Sequence, residues 1–196
     1  MSREIRRVCV YCASSRKADG AYFTAANRLG RILAQAGITL VYGGGSVGSM
    51  GALADGALAA GGKVVGVLPR FMYDLEWGRK DLTELRIVND LHERKRLMIE
   101  EVDAVVALPG GSGTFEELLE AITWKRLGLY FNPIVLVNAL GFYGPLVALF
   151  DRAVQEKFMD ARHLSMWTVV DGVEDVLPAI QQAPEWSREA REFATV

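Results

Sequence analysis

The chain has 196 residues, 51% of them apolar and 23% charged, with a formal net charge of −2. That length suits one domain with a good single core, and the near-neutral charge gives no electrostatic footprint for nucleic acid or an anionic membrane. The opening MSREIRRVCVYC has charge but neither a long apolar region nor a small-residue cleavage site, so no secretion signal is read and a cytoplasmic protein is expected.

Along the chain, short apolar runs alternate with amphipathic stretches. VCVYC (8–12), ITLVYG (38–43), KVVGVLP (63–69), DAVVALPG (103–110), PIVLV (133–137) and MWTVV (166–170) read as strands. The intervals 21–36, 49–60, 90–101, 115–127, 144–157 and 173–181 read as helices. Strands dense in Val, Ile and Leu without polar alternation belong to a sheet buried on both faces. Their alternation with helices gives βαβ units and a doubly wound α/β sandwich. Residues 1–180 are expected to form it, with a polar tail over 181–196 that packs outside or frays. Segment 70–88 is the least regular and is expected to make a lid or pocket edge.

Cys9 and Cys12 make a formal C-x-x-C. A redox pair needs a helix N-terminus to depress the thiol pKa. Here the pair lies in a strand, where residues three apart point to opposite faces, so buried free thiols are expected. The run from Leu127 to Phe150 lacks charge, but Asn132, Pro133, Asn138, Gly141, Gly144 and Pro145 break it into a strand and a helix, so no membrane span is read.

In such a sheet, ligands bind beyond the carboxyl ends of the strands. Two loops there are rich in glycine. YGGGSVGSMG (42–51) satisfies G-x-G-x-x-G through Gly43, Gly45 and Gly48. It follows the second strand and the next strand ends in VLPR, with no acid for a ribose diol, so a phosphate or mononucleotide fits better than a dinucleotide. A tight turn that needs glycine only for packing remains the bland alternative. PGGSGT (109–114) again follows a strand and opens a helix. Two helix N-termini at one sheet edge suit a phosphorylated ligand. Neither loop is followed by Gly-Lys-Ser/Thr, so ATP chemistry is not expected.

The helix DLHERKRLM (90–98) sets Arg94 and Lys95 among Leu91, Leu97 and Met98, where a charge can reach over the sheet edge or simply face solvent. Thr114 and Glu117 have the spacing of a capping box, so Glu117 is either a helix cap or a carboxylate that does chemistry. Ser14 and Ser15, after the first strand, either cap the next element or touch a ligand.

HERK (92–95) followed by PGGSGTFEE (109–117) resembles the LONELY GUY (LOG) family of cytokinin riboside 5′-monophosphate phosphoribohydrolases. The family's R-K and P-G-G-x-G-T-x-x-E are matched at every defined position, and GGGSVGSMG, the Leu68-Pro69 pair and E-x-x-T-W (120–124) agree as well. The resemblance implies a Rossmann-like catalytic domain that forms a homodimer, without cofactor or metal. The reaction would hydrolyse the N-glycosidic bond of a cytokinin riboside 5′-monophosphate or AMP to free (N6-prenyl)adenine and ribose 5-phosphate. By matching position it implies Arg94 and Glu117 as catalytic. Substrate contacts implied are Glu76, Lys95, Thr123 and the loop Gly110, Gly111, Ser112, Gly113 and Thr114; Gly44, Gly45 and Ser14 of the other strand-end loops are further candidate contacts read from their place in the sheet. Such proteins have often been labelled lysine decarboxylases, for which no pyridoxal-phosphate lysine setting is seen.

Cleavage of an N-riboside passes through an oxocarbenium-like sugar and needs a nearby anion, an activated water and help for the departing purine. In the first turn of a helix the dipole favours an ionised Glu117 and a substrate phosphate raises its pKa, two opposed effects between which the sequence does not decide. Glu116 diverges by about 100° on the helix and cannot share its site. Arg94 is the natural second player, on the phosphate, the ribose hydroxyls or the leaving base. Met72, Met98 and Trp124 are candidates to line the base pocket, although Thr123 and Trp124 are as readily core positions. The apolar residues of helix 115–127 exceed one stripe, which agrees with a dimer interface. A carrier of a phosphorylated cofactor, such as a molybdenum cofactor carrier, is the alternative function; it would not need the Arg94/Glu117 pair.

Overall fold

The computed structural model describes residues 3–75 and 77–194. Seven strands pair in parallel in one sheet: β1 (Arg7–Tyr11), β2 (Thr39–Tyr42), β3 (Val64–Pro69), β4 (Glu84–Val88), β5 (Ala104–Ala107), β6 (Ile134–Val137) and β7 (Thr168–Val170). Their order is β4-β3-β2-β1-β5-β6-β7. The connecting helices are α1 (Gly20–Gln35), α2 (Gly48–Ala59), α3 (Arg70–Asp74), α4 (Leu91–Glu100), α5 (Ser112–Arg126), α6 (Gly144–Gln155) and α7 (Val176–Gln182). This is the expected Rossmann-like α/β sandwich.

Side chains alternate across the sheet with the period of a strand. Val8, Val10, Leu40 and Tyr42 pack with Leu29 and Leu33 of α1, Leu53 of α2 and Ile180 of α7. Cys9, Tyr11, Val41 and Val67 pack on the other face with Met98 of α4 and Leu118 and Ile122 of α5. Both faces are covered, which is why the strands read as continuous apolar runs. The same alternation puts Cys9 and Cys12 on opposite faces, as buried free thiols whose pKa burial pushes up. Such thiols are inert.

Helices α1 and α2 touch backbone to backbone. A Cβ at Gly30 would stand 2.1 Å from the Leu53 carbonyl oxygen, and one at Gly56 would stand 1.9 Å from that of Asn27. Glycine at both places is therefore what sets α2, and with it the glycine loop that leads into it.

Segment 70–88 is more regular than its sequence suggests. It holds α3 and the edge strand β4, whose burial is only partial along ELRIV. A half-exposed edge strand carries charge and lacks the apolar run by which the other strands were found. The uncharged stretch after Leu127 divides into β6 and α6, and no helix among the described residues is long and apolar enough to cross a membrane. The chain after α7 packs on α5: Trp186 Nε1 donates to the Lys125 carbonyl (2.6 Å) and Arg191 Nε to that of Leu127 (3.1 Å). These bonds satisfy carbonyls that end a helix without partners of their own.

Candidate functional site

β1 lies between β2 and β5, and the connections leave its two sides in opposite directions. That switch point, at the carboxyl ends of the strands, is where an open α/β sheet leaves a crevice. The loops following β1, β2 and β5 surround a cavity of about 580 Å³, a size common for small-ligand sites. Ser14, Ser15 and Arg16 come from the first loop, Gly45 and Ser46 from the second, and Gly111 to Thr114 from the third. Arg94 and Glu117 reach it from α4 and α5, while Met50, Leu68, Met72 and Trp77 supply apolar wall.

Helix α5 starts three residues earlier than expected, at Ser112, with Gly111 in extended backbone as its N-cap and no side chain capping it. The N–H groups of Ser112, Gly113 and Thr114 have no intrahelical acceptor and are left at the cavity wall. A Cβ on Gly111 or Gly113 would meet nothing within 4 Å, so this mouth is open. At Gly110 a Cβ would fall 2.1 Å from Thr114 Oγ1, so that glycine lets the chain turn beneath the helix.

Because the helix begins early, the capping-box reading of Thr114 and Glu117 fails. Thr114 is the third helical residue, and Glu117 sits in the second turn, beyond the stretch where the dipole acts strongly. Glu117 is also buried, 4% exposed. Burial pushes its carboxyl up to about 7 against the pull of the Arg94 guanidinium. The protonation that the sequence leaves open is thus set by burial, which raises the carboxyl against the pull of Arg94.

Arg94 is held on a well-started helix. Asp90 caps α4 by accepting from Glu93 N (2.8 Å), and Glu93 in turn accepts from Asn89 N (2.8 Å). The Arg94 guanidinium is buried and donates from Nε to Val67 O (3.1 Å) and from Nη2 to Gly43 O (3.3 Å). Its Nη1 stands 2.9 Å from Glu117 Oε1. A Cβ on Gly43 would lie 2.0 Å from Nη2, so glycine there admits the guanidinium. The fork thus ties the ends of β2 and β3 to the carboxylate on α5.

The remaining residues singled out in the sequence divide. Ser14, Gly45, Gly111, Ser112, Gly113 and Thr114 line the cavity with Arg94 and Glu117. Lys95, Gly110, Thr123 and Gly44 are not among its lining residues. Lys95 is buried between Glu116 and Glu120, with Nζ 3.0 Å from Glu120 Oε2. Thr123 is exposed, and its hydroxyl donates back to Leu119 O (2.7 Å). Gly44 turns with φ +75° and faces Leu68 and Leu85. Glu76 lies outside the described residues. Of the three residues expected at the base, Met72 lines the cavity, whereas Met98 and Trp124 belong to the core beneath the sheet. Sequence reasoning missed Arg16 and Trp77. The strand-end rule that selected Ser14 also covered Arg16; Trp77 had no pattern to mark it.

A family model described as possible lysine decarboxylase matches residues 50–180. The chain is 47% identical over 155 residues to a probable cytokinin riboside 5′-monophosphate phosphoribohydrolase of Oryza sativa subsp. japonica, covering 79% of this chain and 70% of that one. It is 41% identical over 182 residues to a cytokinin riboside 5′-monophosphate phosphoribohydrolase of Arabidopsis thaliana, covering 89% and 85% of the two chains. Among solved structures, a molybdenum cofactor carrier protein from Chlamydomonas reinhardtii superposes with a TM-score of 0.70 at 23% identity, over 92% of this chain and 98% of that one. This last likeness is one of fold. Among the described residues, none of those lining the cavity is a lysine, the residue whose amine pyridoxal-phosphate chemistry uses.

Proposed function

The chain belongs to the LONELY GUY family of cytokinin riboside 5′-monophosphate phosphoribohydrolases, and from that premise we propose that it hydrolyses the N-glycosidic bond of cytokinin riboside 5′-monophosphates and of AMP. The products are free (N6-prenyl)adenine and ribose 5-phosphate. The observation that carries this reading is the buried Glu117, its carboxyl near 7, facing the same cavity as the uncapped start of α5.

The roles follow from placement. The N–H groups of Ser112, Gly113 and Thr114, at the positive end of α5, take the 5′-phosphate. Arg94 fixes the Glu117 carboxylate by its fork. As the C–N bond opens, the bonding pair leaves with the purine and positive charge gathers at the anomeric carbon. Ionised Glu117 stabilises that charge and accepts the proton of the attacking water, whose oxygen bonds to the sugar. The proton then passes to the departing base. A carboxyl poised near 7 serves both directions of transfer, which a carboxyl at its ordinary value does poorly.

A cytoplasmic homodimer is part of the proposal. Leu119 on α5, Leu127 at its C-cap and Leu91 on α4 are large apolar side chains left 40–43% exposed. Pairing through this face brings Thr123 and Lys95 toward the partner, which gives them a route to the substrate that one chain lacks.

Incubation of the purified protein with AMP and with isopentenyladenosine monophosphate tests the reading. Free base and ribose 5-phosphate are expected. Release from neither, with tight retention of a co-purified ligand, overturns it in favour of a carrier.

A further inference from the structure

The cavity has two unlike walls. On the β5 side are the bare N–H groups of α5; on the β3 side are Leu68, Met72 and Trp77. Three strand spacings separate β3 from β5, about 14 Å. A nucleotide laid across that width has its phosphate at the first wall and its base at the second.

Trp77 is 55% exposed although it lines this cavity. An indole that large is ordinarily covered by something. Its backbone is nonetheless fastened. Ser46 N and Ser46 Oγ both donate to Trp77 O (3.3 Å), Arg79 N donates to Gly44 O (2.9 Å), and Gly45 and Gly78 form an antiparallel bridge. The next side chain, Arg79, is largely buried and forks onto Asp81 (2.6 Å) and Asp55 (2.5 Å), the latter on α2. The segment is thus clamped to the glycine loop on one side and to α2 on the other, with the indole left free at the cavity.

We infer that Trp77 is a specificity-determining residue that stacks on the purine, forming with Met72 and Leu68 an apolar wall that favours an apolar N6 substituent, and that Arg79 is the positioning residue holding it there. The inference rests on the reading of the cavity as a nucleoside monophosphate site. It predicts that binding energy from the base, and not from the phosphate, passes through residue 77.

The test compares wild type, Trp77→Ala, Trp77→Phe and Arg79→Gln in kcat and KM for AMP and isopentenyladenosine monophosphate, and in inhibition by ribose 5-phosphate, which has no base. Trp77→Ala should raise KM for AMP about 10–100-fold, the range that base–aromatic stacking supplies. The rise should be larger for the prenylated nucleotide, with kcat and ribose 5-phosphate inhibition changed less than about threefold. Trp77→Phe should restore most of the loss, and Arg79→Gln should shift the two KM values in the same direction by less. An unchanged KM, or ribose 5-phosphate inhibition lost in step with it, overturns the inference. If wild type releases no base, the hydrolase reading has failed separately. Calorimetric binding of AMP against ribose 5-phosphate to the same proteins then decides: weakening of AMP alone in Trp77→Ala upholds the stacking, and no such weakening overturns it.

Discussion

Arg94 Nη1 stands 2.9 Å from Glu117 Oε1, and both side chains are almost wholly removed from water, at 9% and 4% exposure. A cation this close ordinarily lowers a carboxyl pKa, yet that of Glu117 is raised to about 7 because burial is the larger effect. The pair is therefore poised rather than fixed as an ion pair. Its worth lies in orientation, since buried ion pairs contribute little net stability.

Arg94 makes three contacts at once, to Val67 O, Gly43 O and Glu117. A lysine ammonium lacks the planar fork to reproduce them. Arg94→Lys should lower kcat on the order of 100-fold, as small misplacements of a reacting group do. Arg94→Met should go further: with the cation gone, the Glu117 carboxyl rises above 7, and the acidic limb of the pH–rate profile moves up. An Arg94→Met profile superimposable on that of wild type would show that the guanidinium does not act through Glu117.

Glu117→Gln should abolish turnover and leave the fold intact. The stability sign follows from the raised pKa. Between the ordinary value of 4.5 and about 7, the folded chain holds a proton the unfolded chain has lost, so wild-type stability falls as pH rises through that window. Glutamine does not titrate. The variant should therefore gain on wild type from pH 4.5 to 7 and hold a constant margin above, on the order of 1–3 kcal/mol. Urea unfolding at several pH values measures this. A margin that does not grow with pH, or full activity in the folded variant, would reduce Glu117 to a structural residue.

Much of this arrangement is legible in the sequence, and the exceptions have physical reasons. Five strands show themselves because both faces of the sheet are buried there, and the part-exposed edge strand β7 because it is uncharged; β4 does not, because the edge strand ELRIV carries charge. The start of α5 is misplaced because glycine and serine read as loop, being poor helix formers, whereas here Ser112 and Gly113 are helical and uncapped. HERK cannot reveal which of its two cations turns inward. Consecutive helical residues diverge by about 100°, and Arg94 enters the cavity while Lys95 meets Glu116 and Glu120. Ser14, Gly45, Ser112 and Thr114 follow from the strand-end rule. Trp77 does not, since its position depends on a bridge between Gly45 and Gly78, 33 residues apart (78 − 45).

The α1–α2 contact gives a prediction about how the glycine loop is placed. Gly56→Ala puts a Cβ 1.9 Å from Asn27 O, a backbone atom that cannot rotate away. The helices must separate, at a cost of about 1–3 kcal/mol or more, and activity should fall because α2 carries the loop. Gly20→Ala, where a Cβ meets nothing within 4 Å, is the control and should stay within about 0.5 kcal/mol. Equal stabilities for the two variants would contradict the close approach.

Lys125 gives a prediction of opposite pH sense. It is 2% exposed, its ammonium donates to Asn132 O (2.9 Å), and burial, with a smaller effect from Arg3, lowers its pKa to about 8. Between about 8 and its ordinary value of 10.5, the unfolded chain holds a proton that the folded chain has released. Wild-type stability therefore gains from rising pH across that window, and the cost of burying the ammonium is present in full below it. Lys125→Met keeps the apolar stem and removes the charge. The variant should be the more stable at pH 7, by about 1–3 kcal/mol less the lost hydrogen bond, and its advantage should shrink from pH 8 to 10.5. Urea unfolding of both proteins across that range reads the difference. Parallel stability curves would mean that Lys125 enters the fold with its ordinary pKa, in which case water reaches the ammonium where it meets Asn132 O.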